Sequence, residues 1–231
     1  MVKKIFGLVR TKLQRYGLVS TLYLHFLKSF QSLLGLKILR GVYVERPDAA
    51  FLECPQGYAG GFLTAGQLRK HAQNPASEIS PRFLDQAVPR GDECYALCAG
   101  EELAAYGWYS FGSTPIGLRD LVLHFSADYV YMYKGFTDTR HRGKRLHAVG
   151  MTRALEHYVA AGYKGLVSYV EATNLDSLKS CARMGYEVFG SVYVLRLFGR
   201  DFAFSSPGCR RFGFRLRRAT TQAPSLSFGK N

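Results

Sequence analysis

The sequence predicts a mixed α/β (α+β) fold that carries an amphipathic, basic helical extension at its N-terminus. Three observations predict it. Two β-prone runs, Glu93–Ala99 and Leu103–Phe111, flank a Gly-Glu-Glu turn and read as a hairpin. From Tyr129 to Leu197, segments of strand and helix character alternate as strand, helix, strand, helix, strand. Gly17–Leu36 has helical periodicity and a single full charge, Lys28. The chain has 231 residues, with 47% hydrophobic and 21% charged residues, which excludes a disordered, collagen-like or disulfide-scaffold protein.

In chain order, Thr21, His25, Lys28 and Ser32 form one polar stripe of the first helix, and Leu18, Leu22, Phe26, Phe30 and Leu33 form a broad apolar face. A spanning helix needs about 20 mainly apolar residues, but a charge at its centre costs roughly 2.5–3.5 kcal/mol. A secretory signal is a poor match, because Lys28 interrupts the apolar run and no small-x-small site follows. The helix therefore packs on its own domain or lies in an anionic membrane surface, with a true span the weakest of the three readings. Val42–Glu45 is a short strand closed by Pro47. Residues 55–92 are rich in Gly, Pro and turn formers, with short helices near Ala65–Ala72 and Phe83–Ala87. After the hairpin, Tyr129–Phe136 is aromatic and β-branched and reads as a central strand, its Tyr129, Tyr131 and Tyr133 on one face as core. Leu146–Ala161 is a helix stopped at Gly162, Gly165–Val170 a strand, Asn174–Met184 a helix ending at Gly185, and Tyr186–Leu197 a strand. Cys209–Arg218 alternates Phe212, Phe214 and Leu216 with arginines and reads as a last strand. The boundaries are an extension at 1–41, a domain at 42–218 with its core at 93–197, and a flexible tail at 219–231.

The net charge of +14 is uneven. Residues 1–44 carry +8 with no acid, residues 196–231 carry +7 with Asp201 as the lone acid, and the middle carries −1. Any anion-seeking surface is thus built by the two ends. Five cysteines without a C-x-x-C pair read as free thiols in a reducing compartment and not as a zinc site, so no metal is expected.

The chemistry-bearing stretch is Thr137–His147, which places Gly143 among Arg142, Lys144 and Arg145 at a strand-to-helix turn. A helix start presents unpaired N–H groups and positive dipole, a seat for a pyrophosphate. One strand and one helix later come Val170-Glu-Ala-Thr-Asn174, then Ser177, then Gly185-Tyr186. Here the chain resembles the GNAT superfamily of acyl-CoA-dependent N-acyltransferases over roughly Glu93–Leu197. Arg142-Gly143-Lys144 begins the family's acyl-CoA motif, and Asn174, Ser177, Gly185 and Tyr186 match the spacing of its second motif. The resemblance implies a GNAT-like mixed, mostly antiparallel twisted sheet flanked by helices. It implies acetyl-CoA or another acyl-CoA as co-substrate, held by Gly135, Phe136, Thr137, Arg142, Gly143, Lys144, Arg145, Leu146, His147, Asn174 and Ser177. The pantetheine arm would bind as an added strand between two splayed neighbours.

The chain departs from the pattern in three places. Read from Arg142, the motif's two small positions are filled by Arg145 and His147; read from Arg140, Gly143 is recovered and Arg145 still takes the last. Where many members place a thiolate-protonating Tyr, seven residues after the Asn, this chain has Cys181, and where some place a Glu base it has Tyr169. Glu171 is the nearest carboxylate and the candidate base, alternatively a residue that ties down the following turn; His124 and Asp128 are further base candidates.

The function implied is transfer of an acetyl or other acyl group from acyl-CoA to a primary amine, the acceptor being a small-molecule or lipid-linked amine. The alternative is a GNAT-like adaptor without catalysis that binds acyl-CoA or membrane. The basic amphipathic N-terminus points to an anionic membrane surface and so to a cytoplasmic protein peripheral on the inner face of the membrane. With no recognition motif, nucleic acid ranks below lipid as the anionic partner.

Overall fold

The computed structural model describes Gly17, Leu22 and residues 25–31, 33–118 and 121–219. The basic stretch from Lys3 to Arg15, the helix positions Leu18, Thr21 and Ser32, and the tail from Thr220 lie outside the described residues. Eight strands form the main sheet: β1 (Leu36–Val44), β2 (Ala59–Phe62), β3 (Glu93–Ala99), β4 (Glu102–Ser110), β7 (Tyr129–Thr137), β8 (Gly165–Glu171), β9 (Glu187–Leu197) and β10 (Arg200–Ser205). Their order is β10-β9-β1-β8-β7-β4-β3-β2. Every pairing is antiparallel except β7 with β8. A second sheet of three short strands joins β5 (Thr114–Pro115), β6 (Leu121–His124) and β11 (Arg215–Arg218).

Alternation along the strands builds two faces. On one, α3 (Leu146–Ala160) sets Met151, Ala154, Leu155 and Tyr158 against Val42, Val130 and Leu166. On the other, α1 (Ala65–His71) and α2 (Pro81–Ala87) cover Cys94, Ala96 and Trp108, while the small sheet covers Tyr129, Tyr131, Val167 and Val192. Trp108, fully buried with Phe83 edge-on at 4.8 Å, is the largest anchor of the α1–α2 layer. The two short helices start where local chemistry dictates: Thr64 and Gln67 form a capping box before α1, and Ser80 caps α2 with Pro81 at its first position. The central tyrosines are core, as expected. Tyr129 donates to Glu45 at 2.6 Å and Tyr133 to Asp92 at 2.8 Å.

Four expectations change. The first strand begins at Leu36, not Val42, and lies between β8 and β9, so residues 36–41 belong to the sheet and the extension ends at Gly35. Burial of Leu39 and Val42 on opposite faces explains why: the strand is sandwiched. Gly-rich residues 59–62 form an edge strand, and residues 200–205 a further one. Cys209–Arg218 is not one strand. Residues 207–212 form a 3-10 turn, Gly213 takes a left-handed φ of 58°, and only 215–218 are extended. Phe212, Phe214 and Leu216 are nonetheless all buried and the arginines exposed, so the alternation survives the turn. Finally, residues 25–31, 33 and 34 are helical, but the apolar face does not pack inward. Leu27 is buried, while Leu22, Phe26, Phe30 and Leu33 are exposed. No helix among the described residues is long and apolar enough to cross a membrane.

Candidate active site

β7 and β8 pair in parallel only at Tyr129–Tyr131 against Gly165–Val167. Beyond those three pairs, β7 continues to Thr137 bonded to β4, and β8 continues to Glu171 bonded to β1. Among the described residues, the facing backbone of β7 from Met132 and of β8 from Ser168 therefore has no strand partner, and a V-shaped gap opens between them. Ser168 Oγ closes its apex by donating to the Met132 carbonyl at 2.7 Å. A parallel pair that separates while each strand stays bonded on its outer side can accept a third extended chain through backbone groups. Gly135, Phe136 and Thr137 line the β7 side.

The loop from β7 to α3 is shaped by left-handed backbone at Gly143 (φ 82°) and Arg145 (φ 59°). No side chain caps α3, so its first N–H groups lack the partner that a Ser, Thr or Asp would supply. Arg145 thus holds the conformation that glycine ordinarily provides, although its side chain is not glycine's. Arg142, Lys144 and Arg145 are exposed beside the uncapped start. Lys144 donates to Tyr58 Oη at 2.7 Å and stands over its ring, and Tyr58 Oη also bonds His141 Nδ1 at 2.9 Å. Arg140, the alternative first residue of the motif, is engaged elsewhere: it pairs with Asp138 and Glu102, and its guanidinium and backbone hold the Asp138 carboxyl well below the usual range.

Two of the expected cofactor residues turn their side chains inward. Leu146 is buried in the core with Leu97, Ala105 and Val149, so only its N–H can meet a ligand. His147 lies against β7, where a Cβ on Gly135 would sit 2.4 Å from its ring. Burial drops its pKa to about 4, so the imidazole is neutral at physiological pH and offers a phosphate no charge. Asn174 caps α4 (Leu175–Arg183), its Oδ1 accepting from the Ser177 N–H at 3.1 Å. The spacing of Asn174 and Ser177 is therefore the spacing of a helix cap.

The two catalytic candidates fall on opposite faces. Cys181 packs on the α3 side, where burial pushes its pKa up to about 11. Glu171 alternates with Val167 and Tyr169 and so faces the other side, where it is exposed and pairs with Lys37 at 3.6 Å. The further base candidates lie away from the gap: His124 bonds Ser113 Oγ in the small sheet, and Asp128 pairs with Lys164, each at 2.7 Å. Sequence reasoning missed the network on Glu171's face. Tyr133 and Arg90 both donate to Asp92 Oδ2, at 2.8 and 2.6 Å, and buried Asp92 Oδ1 has no partner among the described residues. Tyr131, Tyr133 and Tyr169 stack beside it, with burial pushing the Tyr169 pKa up to about 12. Ser168, the small polar residue inside the apolar run Leu166–Val170, was the signal for the apex; nothing near Asp92 in the sequence marks it.

No protein-family model matches the chain, and no curated protein does. Among solved structures, the chain is similar to a GCN5-related N-acetyltransferase-like protein from Streptococcus suis. That likeness has 11% identity and a TM-score of 0.49, and covers 72% of this chain and 65% of that one. It is also similar to a GCN5-related N-acetyltransferase from Kribbella flavida, at 16% identity and a TM-score of 0.47, over 77% and 63% of the two chains. A third is an aminoglycoside acetyltransferase from an uncultured soil metagenomic sample, at 10% identity and a TM-score of 0.42, over 57% and 90%. The chain thus spans slightly less than two thirds of the length of the first two.

Proposed function

We propose that the protein is a GNAT-type N-acyltransferase that moves an acetyl or other acyl group from acyl-CoA to a primary amine, with residues 36–218 as the transferring unit. The observation that carries this reading is the gap between β7 and β8, opening beside an uncapped helix start. The residues present fit acyl-CoA. Left-handed Gly143 and Arg145 leave N–H groups free, Arg142, Lys144 and Arg145 add charge for the diphosphate, and Gly135–Thr137 offer backbone groups along the gap. Acyl-CoA supplies the activated thioester. The chain's own part is to hold an amine against the gap from the face opposite α3, a proximity effect, and to polarise the carbonyl through β7 N–H groups. Glu171, on that face, takes the proton from the ammonium directly or through water, and Cys181, kept protonated by burial, holds a proton for the departing thiolate.

The acceptor is a small-molecule or lipid-linked amine, and the protein works in the cytoplasm at the inner, anionic face of the membrane, a reading supported by the basic ends and the exposed apolar helix face. A second reading is a non-catalytic acyl-CoA- or membrane-binding adaptor, favoured by the Lys37 pair that engages Glu171. Titration calorimetry with acetyl-CoA and longer acyl-CoAs tests the shared premise, and Arg142→Glu should weaken the binding. Thiol release with a panel of amines separates the two readings: binding without release leaves the adaptor, and no binding removes both the transferase and an acyl-CoA adaptor, leaving only a membrane-binding one.

A further inference from the structure

β1, which closes the basic segment 1–44, and β10, which lies within the basic segment 196–231, both pair with β9 at one edge of the main sheet. On this edge Phe202 and Phe204 of β10 stand opposite Leu195 and Tyr193, which stand opposite Leu36 and Ile38 of β1. Phe202, Phe204 and Tyr193 are exposed. The β9–β10 turn is Phe198-Gly199, and Phe198 is wholly exposed at 102% with a left-handed φ of 48°. A bulky side chain takes that conformation only at a cost, and Asn or Gly would suit the turn better. Neither packing nor turn geometry accounts for phenylalanine here.

The N-terminal helical residues end at the same place. The Arg196 N–H donates to the Gly35 carbonyl at 3.0 Å, so exposed Leu33 and Leu34 reach the sheet beside the strand end that leads into Phe198. Phe26 and Phe30 stack on the helix, both exposed. Arg196 and Arg200 flank the Phe198-Gly199 turn, and Lys28 is exposed on the helical segment. A 330 Å³ cavity beside the turn is lined by Arg200, Asp201, Phe202, Arg217 and Arg218 among the described residues.

We propose that the β9–β10 hairpin tip, with Phe198 at its apex, is a docking wedge for an anionic lipid bilayer. The apolar side chains enter the boundary between headgroups and acyl chains, and the flanking arginines and Lys28 meet lipid phosphates. The charge demands an anionic partner. The patch joins its aromatic side chains to exposed aliphatic ones, Leu33, Leu34 and Leu197, and aliphatic surface suits acyl chains but gives nucleic-acid bases no plane to stack on. The inference deepens the membrane part of the proposed function and does not depend on acyl transfer.

The test uses the full chain with Phe198→Trp, since fully buried Trp108 gives a fixed fluorescence background. Phosphatidylcholine vesicles containing phosphatidylglycerol should shift the new emission to the blue, brominated acyl chains should quench it, and high salt should weaken the effect. Phe198→Asn, which suits the turn, should keep the melting temperature and acyl-CoA binding of the parent while losing about tenfold or more in vesicle partitioning. No shift with anionic vesicles, or an equal shift with pure phosphatidylcholine, overturns the proposal. So does the same shift with a single-stranded oligonucleotide, or with rising protein concentration alone, which would mark a second copy as the occupant. If Phe198→Asn partitions like the parent, the N-terminal helix alone carries attachment and the wedge is wrong. A vesicle failure leaves the acyl-CoA titration untouched, so the two readings fall separately.

Discussion

His147 shows how a histidine beside a basic loop can be kept without charge. Its unfolded pKa is near 6.5 and its folded value about 4, so between those values the unfolded chain binds more protons. Stability should therefore be full above about pH 6.5 and be lost as the pH falls toward 4, by on the order of 3 kcal/mol. Urea midpoints measured from pH 7 to pH 4 should show that slope, and His147→Gln should flatten it; an unchanged slope would assign the acid limb to other groups. Arg145 makes a second case. Its left-handed backbone costs about 1–2 kcal/mol in a residue with a Cβ. Arg145→Gly should accordingly raise stability by about 1 kcal/mol and, if the proposed acyl-CoA site holds, weaken acyl-CoA binding, because a guanidinium leaves the proposed phosphate seat. Denaturant unfolding and calorimetry on the same variant separate the two effects.

Elements are placed by a few close approaches. Gly135 lets the first turn of α3 sit against β7, because a Cβ there would meet the His147 ring at 2.4 Å and the Met132 methyl at 3.0 Å. Gly135→Ala should cost about 1–3 kcal/mol through displacement of that turn and should weaken acyl-CoA binding. The double variant with His147→Ala should regain part of both, since the obstructing ring is gone; purely additive losses would mean that the contact does not position the helix. α4 is simpler. Asn174→Ala removes its cap and should lower stability by about 1 kcal/mol, read from the thermal midpoint.

At the scale of the whole molecule, the N-terminal segment is two things joined at Gly35. The helical residues before it leave their apolar face exposed, whereas β1 after it is a central strand between β8 and β9. Removing residues 1–34 should leave a folded protein with a cooperative melt, and removing residues 1–44 should not. The longer cut strips one partner each from β8 and β9 and takes Leu39, Val42 and Val44 out of the core. Circular dichroism and solubility of the two truncations decide it; a soluble, cooperative 1–44 deletion would show that β1 is dispensable.

The sequence by itself determined what is local and periodic: the hairpin, the α3 and α4 segments, the core tyrosines, the buried phenylalanines near the C-terminus and the charge at both ends. Each rests on patterns that repeat within a few residues, so a window of sequence contains the whole signal. Only the tertiary structure decided matters that depend on residues far apart in the chain. It inserted β1 between β8 and β9, although the two lie more than 120 residues further on. It parted β7 from β8 to open the gap, brought Arg90 and Asp92 to Tyr133, and set Glu171 and Cys181 on opposite faces. It also withheld charge from His147 by burying it, and brought β1 and β10 from far apart in the chain to the two sides of β9. Pairing partners, burial and field are properties of neighbours in space, and a one-dimensional pattern carries no record of which neighbours those will be.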